Sequence, residues 1–237
     1  MDGILTLVGF GPNGWGDEIA SGVLVTVSLA LATVPFGLAL GFAIALAKLS
    51  GDRYLKLSAD IFTTIFRGLP ELLTLFLVFY GAQIAIQRIL AAMGHTGGIE
   101  LNAFGAGMVA LGVVFAAYAS EVFVSAFRAI PRGQYEGAEA LGLGRWRTMR
   151  HVILPQLIRI ALPGLSNLWL ILLKETSLVS VIGLADIVRQ TGIAARVSRE
   201  AFLFYSIACL LYLILAMLSS IAFNRIEKRV ATPGMTR

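Results

Sequence analysis

The stretch Pro131-Arg-Gly-Gln-Tyr-Glu-Gly-Ala-Glu-Ala-Leu-Gly142-Leu-Gly-Arg-Trp-Arg-Thr-Met-Arg-His-Val-Ile-Leu-Pro155 decides how the rest of the chain is read. Its first half has the spacing of a short amphipathic helix. Tyr135, Ala138 and Leu141 share one face, and Glu136 and Glu139 share another. Gly142 and Gly144 permit a sharp turn, and Arg145 to Leu154 predicts a second short helix ended by Pro155. A helix–glycine–helix unit is poorly suited to be a mere connector. It fits a knob that docks in a partner's groove. It also fits a basic helix lying on anionic lipid.

The residues around this stretch are those of a membrane protein. Of 237 residues, 57% are hydrophobic and 14% charged, against about 25% charged in a soluble domain. That leaves too little polar surface for a globule in water. It argues against a disordered chain, a disulfide scaffold and a nucleic-acid binder. The lone cysteine, Cys209, lies in an apolar run and reads as packing. About 20 apolar residues cross the hydrocarbon core. Apolar runs predict five transmembrane helices, over about 20–48, 60–90, 102–127, 156–182 and 201–224. The whole chain, 1–237, reads as one all-α transmembrane domain, with 131–155 as the loop between spans three and four.

Basic residues orient the spans. Connections on the side of the 131–155 loop hold twelve Lys and Arg, and those on the other side hold four. The positive-inside rule then puts the loop and the C-terminus in the cytoplasm and the N-terminus outside. Arg189, Arg196 and Arg199 run against that rule, as a segment packed in protein or used by an external partner would. Gly37 and Gly41 form a small-xxx-small pair suited to close helix approach. Pro35, Pro70 and Pro163 lie in or at the ends of spans and remove backbone donors there, which bends helices or breaks them to line a pathway.

The run Glu136-Gly-Ala-Glu-Ala-Leu-Gly142, nine residues, then Val152-Ile-Leu-Pro155 resembles the Glu-Ala-Ala loop of bacterial ABC-importer permeases. Gly137 and Val152 are mild departures from that pattern, and the spacing matches throughout. Arg67-Gly-Leu-Pro70, Ala117-Tyr-Ala-Ser-Glu121, Pro131-Arg-Gly-Gln134 and Lys174-Glu-Thr-Ser-Leu178 resemble further motifs of polar amino-acid permeases. The matches cover about residues 20–225 and point to the HisM/HisQ type, closest to HisQ-like members serving basic amino acids or opines. Val124 stands where the family often has an Arg, three residues after the span-three Glu.

The resemblance implies the type I importer permease fold, with five transmembrane helices per subunit. It implies a second permease subunit (HisM-like or another copy), two ATPase subunits, a periplasmic substrate-binding protein and a bacterial inner-membrane location surrounded by lipid. ATP and Mg would be bound by the partner ATPase, and this chain would carry no cofactor. Gln134, Glu136, Ala138, Leu141, Gly142 and Arg145 would couple the loop to the ATPase. The chain has no Gly-Lys dipeptide, hence no phosphate-cradling loop of its own. Its two histidines, His95 and His151, lie in opposite loops, and no metal site is expected.

Charges within spans cost about 2.5–3.5 kcal/mol each on insertion scales. Glu71, Glu121, Lys174, Glu175 and Asp60 therefore need partners or a ligand. One reading pairs Lys174 with Glu121 or Glu175, and Arg67 with Asp60 or Glu71. The other assigns Glu121, Glu175, Lys174, Glu71 and Asn167 to the substrate, acidic groups holding an amino acid's cations. Ser166 and Asn167, after the Pro163-Gly164 break, add hydrogen bonds in that reading, but ordinary interhelical packing accounts better for both. A secondary transporter driven by an ion gradient is the alternative function. It would use the same acids as proton or sodium sites. Five spans and a docking-type loop argue against it.

Overall fold

A computed structural model describes residues 6–93 and 102–230; His95 lies outside them. The described residues are helical throughout, with short turns between elements. The helices are α1 (Gly16–Lys48), α2 (Arg53–Gly68), α3 (Glu71–Ala92), α4 (Ala103–Ala129), α5 (Arg132–Ala140) and α6 (Arg145–Thr148). A π turn (Met149–Ile153) leads into α7 (Leu154–Glu175) and a 3-10 segment (Thr176–Ile182), followed by α8 (Ile187–Ser198) and α9 (Ala201–Val230). Among the described residues, five helical stretches are long and apolar enough to cross a membrane: α1, α3, α4, the composite Arg145–Ile182, and α9.

The packing centre is α4 against α1. Their contact is a reciprocal notch. The Phe115 ring occupies the space where Gly37 would carry a Cβ, and the Phe36 ring does the same at Gly112. One turn on, a Cβ at Gly41 would lie 2.9 Å from the Ala116 carbonyl oxygen. Lipid offers no hydrophobic drive for helices to associate, so close van der Waals fit at small residues is what holds them. Val124, at the position where an Arg was considered, is buried in this core. An Arg there would displace apolar packing.

The second span is shorter than the 60–90 read from the sequence. Leu69 is extended ahead of Pro70 and divides that stretch into α2 and α3. The residue before a proline is pushed out of the helical region, and Pro70 has no N–H to continue the ladder. α2 is 16 residues long, too short to span, and carries Arg53, Lys56, Asp60 and Arg67. The fourth span keeps an α-helix through Pro163 and tightens to 3-10 at Thr176, directly after Lys174-Glu175. Pro155 does not end a loop helix as the sequence suggested. It sits in the first turn of α7, directly after the π turn.

α8 runs back against the first turns of α1 and α9 through Ile19, Ala194, Ala195 and Phe204. Cys209 is exposed on α9.

The α1–α4 notch gives a direct test. Gly41→Leu should lower the unfolding temperature of the detergent-solubilised chain, at a cost of about 1–3 kcal/mol from overpacking. Gly81→Ala, where nothing lies within 4 Å of an added Cβ, should leave the midpoint unchanged or slightly raised.

Candidate functional site: an exposed knob, a charge cluster and an acidic pair

The loop forms a compact knob. α5 closes with paired bonds: Leu143 N–H donates to the Ala138 carbonyl at 3.0 Å, and Gly142 N–H to the Glu139 carbonyl at 2.9 Å. Gly142 has φ +71, a left-handed conformation that glycine takes without the Cβ penalty. This is the Schellman end of a helix, and it is the physical reason for a glycine six residues after Glu136. Ala138 is 4% exposed and packs inward. It supports the knob from within, so the face expected to join Tyr135, Ala138 and Leu141 at a partner is divided. Leu141 (81% exposed) and Trp146 (73%) form apolar tips, with Glu136 and Arg145 exposed beside them. Gln134 is tied back to the span, its side-chain oxygen accepting from Gln156 Nε2 at 3.0 Å. A cleft of 600 Å³ runs between Tyr135, Leu143, Arg145 and Met149. Its floor is the π turn, where His151 Nδ1 lies 3.1 Å from the Arg147 carbonyl oxygen.

The intramembrane charges separate into two groups. Glu121 is held by Lys48 (2.6 Å) and by Arg67 (3.2 Å), and Lys48 also reaches Asp60 (3.2 Å). The Arg67 guanidinium lies over the Tyr118 ring, 5.5 Å from its centroid. The pairings read from sequence are therefore corrected. Glu121 goes with Lys48 and Arg67 rather than Lys174, and Asp60 goes with Lys48 rather than Arg67. Sequence reading missed Lys48 because it appeared only as the charge that ends the run 19–47. Its partners lie 12 and 73 positions away, beyond any local pattern.

The second group is Glu71, Lys174 and Glu175. Glu71 opens α3 and Glu175 closes α7; the fold brings the two carboxylates within electrostatic range, with Lys174 alongside. Lys174 lines a cleft of 390 Å³ with Ser177, Tyr205 and Tyr212. Asn167 is exposed on α7 two turns before Lys174 and on the same face. Ser166 is buried, and its hydroxyl donates to the Leu162 carbonyl at 2.8 Å.

Asp186, not singled out in the sequence, is fully buried beside Thr26, Thr176 and Tyr212. Its Oδ1 accepts from Arg189 N–H at 2.9 Å and caps α8, while Ile187 N–H donates to Thr26 Oγ1 at 3.3 Å. Burial pushes the Asp186 carboxyl up to about 6, and Oδ2 has no well-formed partner.

Residues 34–232 match the family of binding-protein-dependent transport system inner membrane components. The chain belongs to that family. It is 42% identical over 225 residues to the nopaline transport system permease protein NocQ of Agrobacterium fabrum strain C58, covering 94% of this chain and 95% of that one. It is 38% identical over 216 residues to the histidine/lysine/arginine/ornithine transport system permease protein HisQ of Escherichia coli K12, covering 91% and 94%. Among solved structures, an amino acid ABC transporter with histidines superposes with a TM-score of 0.76 at 33% identity, over 91% of this chain and 95% of that one. An inward-facing MetNI methionine ABC transporter shares the fold, at TM-score 0.69 and 20% identity over 90% and 96%. The chain is thus an inner-membrane, multi-pass permease subunit with the type I importer fold.

The Asp186 cap gives a pH prediction. Its carboxyl is raised above the usual value near 3.9, so its contribution to stability is full below that value. That contribution is lost as pH rises through about 6. Asp186→Asn keeps an N-cap and should unfold at the wild-type temperature or higher at pH 8, with a flatter pH profile. Asp186→Ala should lose about 1 kcal/mol of capping. Thermal unfolding at pH 5 and pH 8 checks both.

Proposed function

We propose that this permease subunit moves a basic amino acid or an opine into the cytoplasm, driven by two partner ATPase subunits that bind ATP and Mg. A periplasmic binding protein delivers the substrate, and the membrane path forms with a second permease subunit, HisM-like or another copy. The loop side is the cytoplasmic side, which puts the N-terminus in the periplasm and the C-terminus in the cytoplasm. The observation that carries this reading is the knob. An exposed Leu141–Trp146 tip on a short helix locked by Gly142 is a shape for a partner's groove. The named relatives serve nopaline and basic amino acids, which favours a cationic cargo.

Glu136, Leu141, Gly142 and Arg145 form the face offered to the ATPase, and Ala138 and Gln134 hold that face in shape from within the chain. Substrate is met by Glu71 and Glu175, with Lys174 and Asn167 bordering them. One carboxylate balances Lys174, and the other is left for a substrate ammonium or guanidinium. An α-carboxylate would meet Lys174. Glu121 is already engaged by two cations, and its part is mechanical rather than substrate-binding.

The test is reconstitution with the ATPase and second permease subunit, measuring ATP hydrolysis stimulated by loaded binding protein. Gly142→Asp forces a Cβ into left-handed backbone, and Glu136→Lys reverses charge on the docking face. Each should cut stimulation at least tenfold without lowering the unfolding temperature by more than a few degrees. Unchanged stimulation in both would remove the coupling role. Glu71→Gln and Glu175→Gln should each weaken uptake of a cationic substrate by about tenfold, a loss of roughly 1.4 kcal/mol, while leaving basal ATP hydrolysis near wild type.

A further inference from the structure

The Lys48 cluster joins two parts of the chain that are otherwise unequally held. α1 and α4 form a tight body through the Gly37, Gly41 and Gly112 notches. α2 is the arm: it buries only Ala59 and Thr63. α3 lies on the body, with Leu72, Leu75, Phe76 and Phe79 packed in the main core. Lys48 is the last residue of α1, Glu121 lies on α4, and Asp60 and Arg67 lie on α2. Every ion pair in the cluster thus either ties arm to body or braces the body residue that holds the arm.

Its placement is mechanical. Arg67 stands immediately before the Gly68–Pro70 break, beyond which α3 begins with Glu71. Glu121 lies about 12 Å, by helix rise, from the end of α4, where the docking knob starts. The lysine side chain is 10% exposed, but its partners Asp60 and Glu121 are 48% and 34% exposed and Arg67 is 45%. Charges at such a depth are tolerated when paired, and four of them converging at the junction of α1, α2 and α4 fix where α2 sits against the body.

We propose that Lys48 is a positioning residue for transport. It clasps α2 to the α1–α4 body, so that motion entering at the docking knob is carried through Glu121 and Arg67 to Glu71. With the clasp closed, Glu71 is held beside Glu175; with it released, α2 draws on Glu71 through the Gly68–Pro70 break and the two carboxylates lose their register. The acidic pair's role rests on the function proposed above; the clasp itself does not.

Two measurements test it. In nanodiscs, spin labels at Ser58→Cys on α2 and Ser125→Cys on α4, in a Cys209→Ser background, report the arm-to-body distance. Wild type should give one narrow distribution, Lys48→Met a second population longer by several ångströms, and Lys48→Arg, which keeps the charge that Asp60 and Glu121 share, a return to one. Should Lys48→Met fail to fold, Arg67→Gln, which removes the Glu121 pair and the contact with Tyr118, takes its place with the same expected broadening. In the assembled importer, Lys48→Met should keep at least half the ATP hydrolysis but lose about tenfold in substrate moved per ATP. Lys48→Arg should recover to within about threefold. An unbroadened distance in Lys48→Met or Arg67→Gln overturns the clasp. So does a proportional fall of hydrolysis and uptake in the importer, or a Lys48→Arg variant that rescues neither readout. A wild-type importer without ATP-driven uptake would instead count against the function reading, and the nanodisc distances would still decide the clasp.

Discussion

The close approach of α1 and α4 is the constraint on which the rest of the structure depends. In lipid, two helices gain nothing from hiding apolar surface from each other, and they stay together only where their surfaces fit. Gly37 and Gly112 each receive a phenylalanine from the facing helix, and Gly41 lets the backbones come nearer still. The body so formed fixes where Lys48 ends and where Glu121 points. It presents Thr26 and Gly22 to the turn that starts α8, and it sets the root from which the docking knob projects. α2 is the complement of this arrangement: it buries only Ala59 and Thr63 and is tied to the body by the Lys48 and Arg67 pairs.

The knob and the spans it joins form one continuous unit. α5 ends in a Schellman turn and Gln134 is bonded to Gln156. The π turn and Pro155 then lead directly into α7 without a linker. In the proposed function, a push on Leu141 and Trp146 would reach two spans, α4 and α7, which carry Glu121 and Glu175. The 3-10 tightening after Glu175 turns the chain just after that residue.

Much of this was legible in the sequence. Five apolar runs gave five candidate spans, and the Gly37/Gly41 spacing marked the close helix contact. The glycine after Glu136 marked the turn that shapes the knob. What was not legible were long-range pairings. Lys48 and Glu121 are separated by 73 positions, and the single-chain pattern favoured the nearer-looking Lys174. The second span was overextended because Ile61–Phe66 is apolar, and only the extended Leu69 shows that Pro70 ends one helix and begins another. Ala138 was placed on the outer face by helical periodicity alone. α5 packs back on the π turn, and that contact buries Ala138. Asp186 was unremarkable in a list of residues, because a cap acquires meaning only when burial leaves it no solvent.

The most direct measurement of the central claim is substrate accumulation in proteoliposomes holding this chain, its second permease subunit and the ATPase, with loaded binding protein outside. ATP is sealed inside, and ionophores dissipate every proton and sodium gradient. The account predicts uptake that requires internal ATP and is unaffected by the ionophores. Uptake that ignores ATP and collapses with the ion gradient would contradict it and make the intramembrane acids ion sites of a secondary transporter.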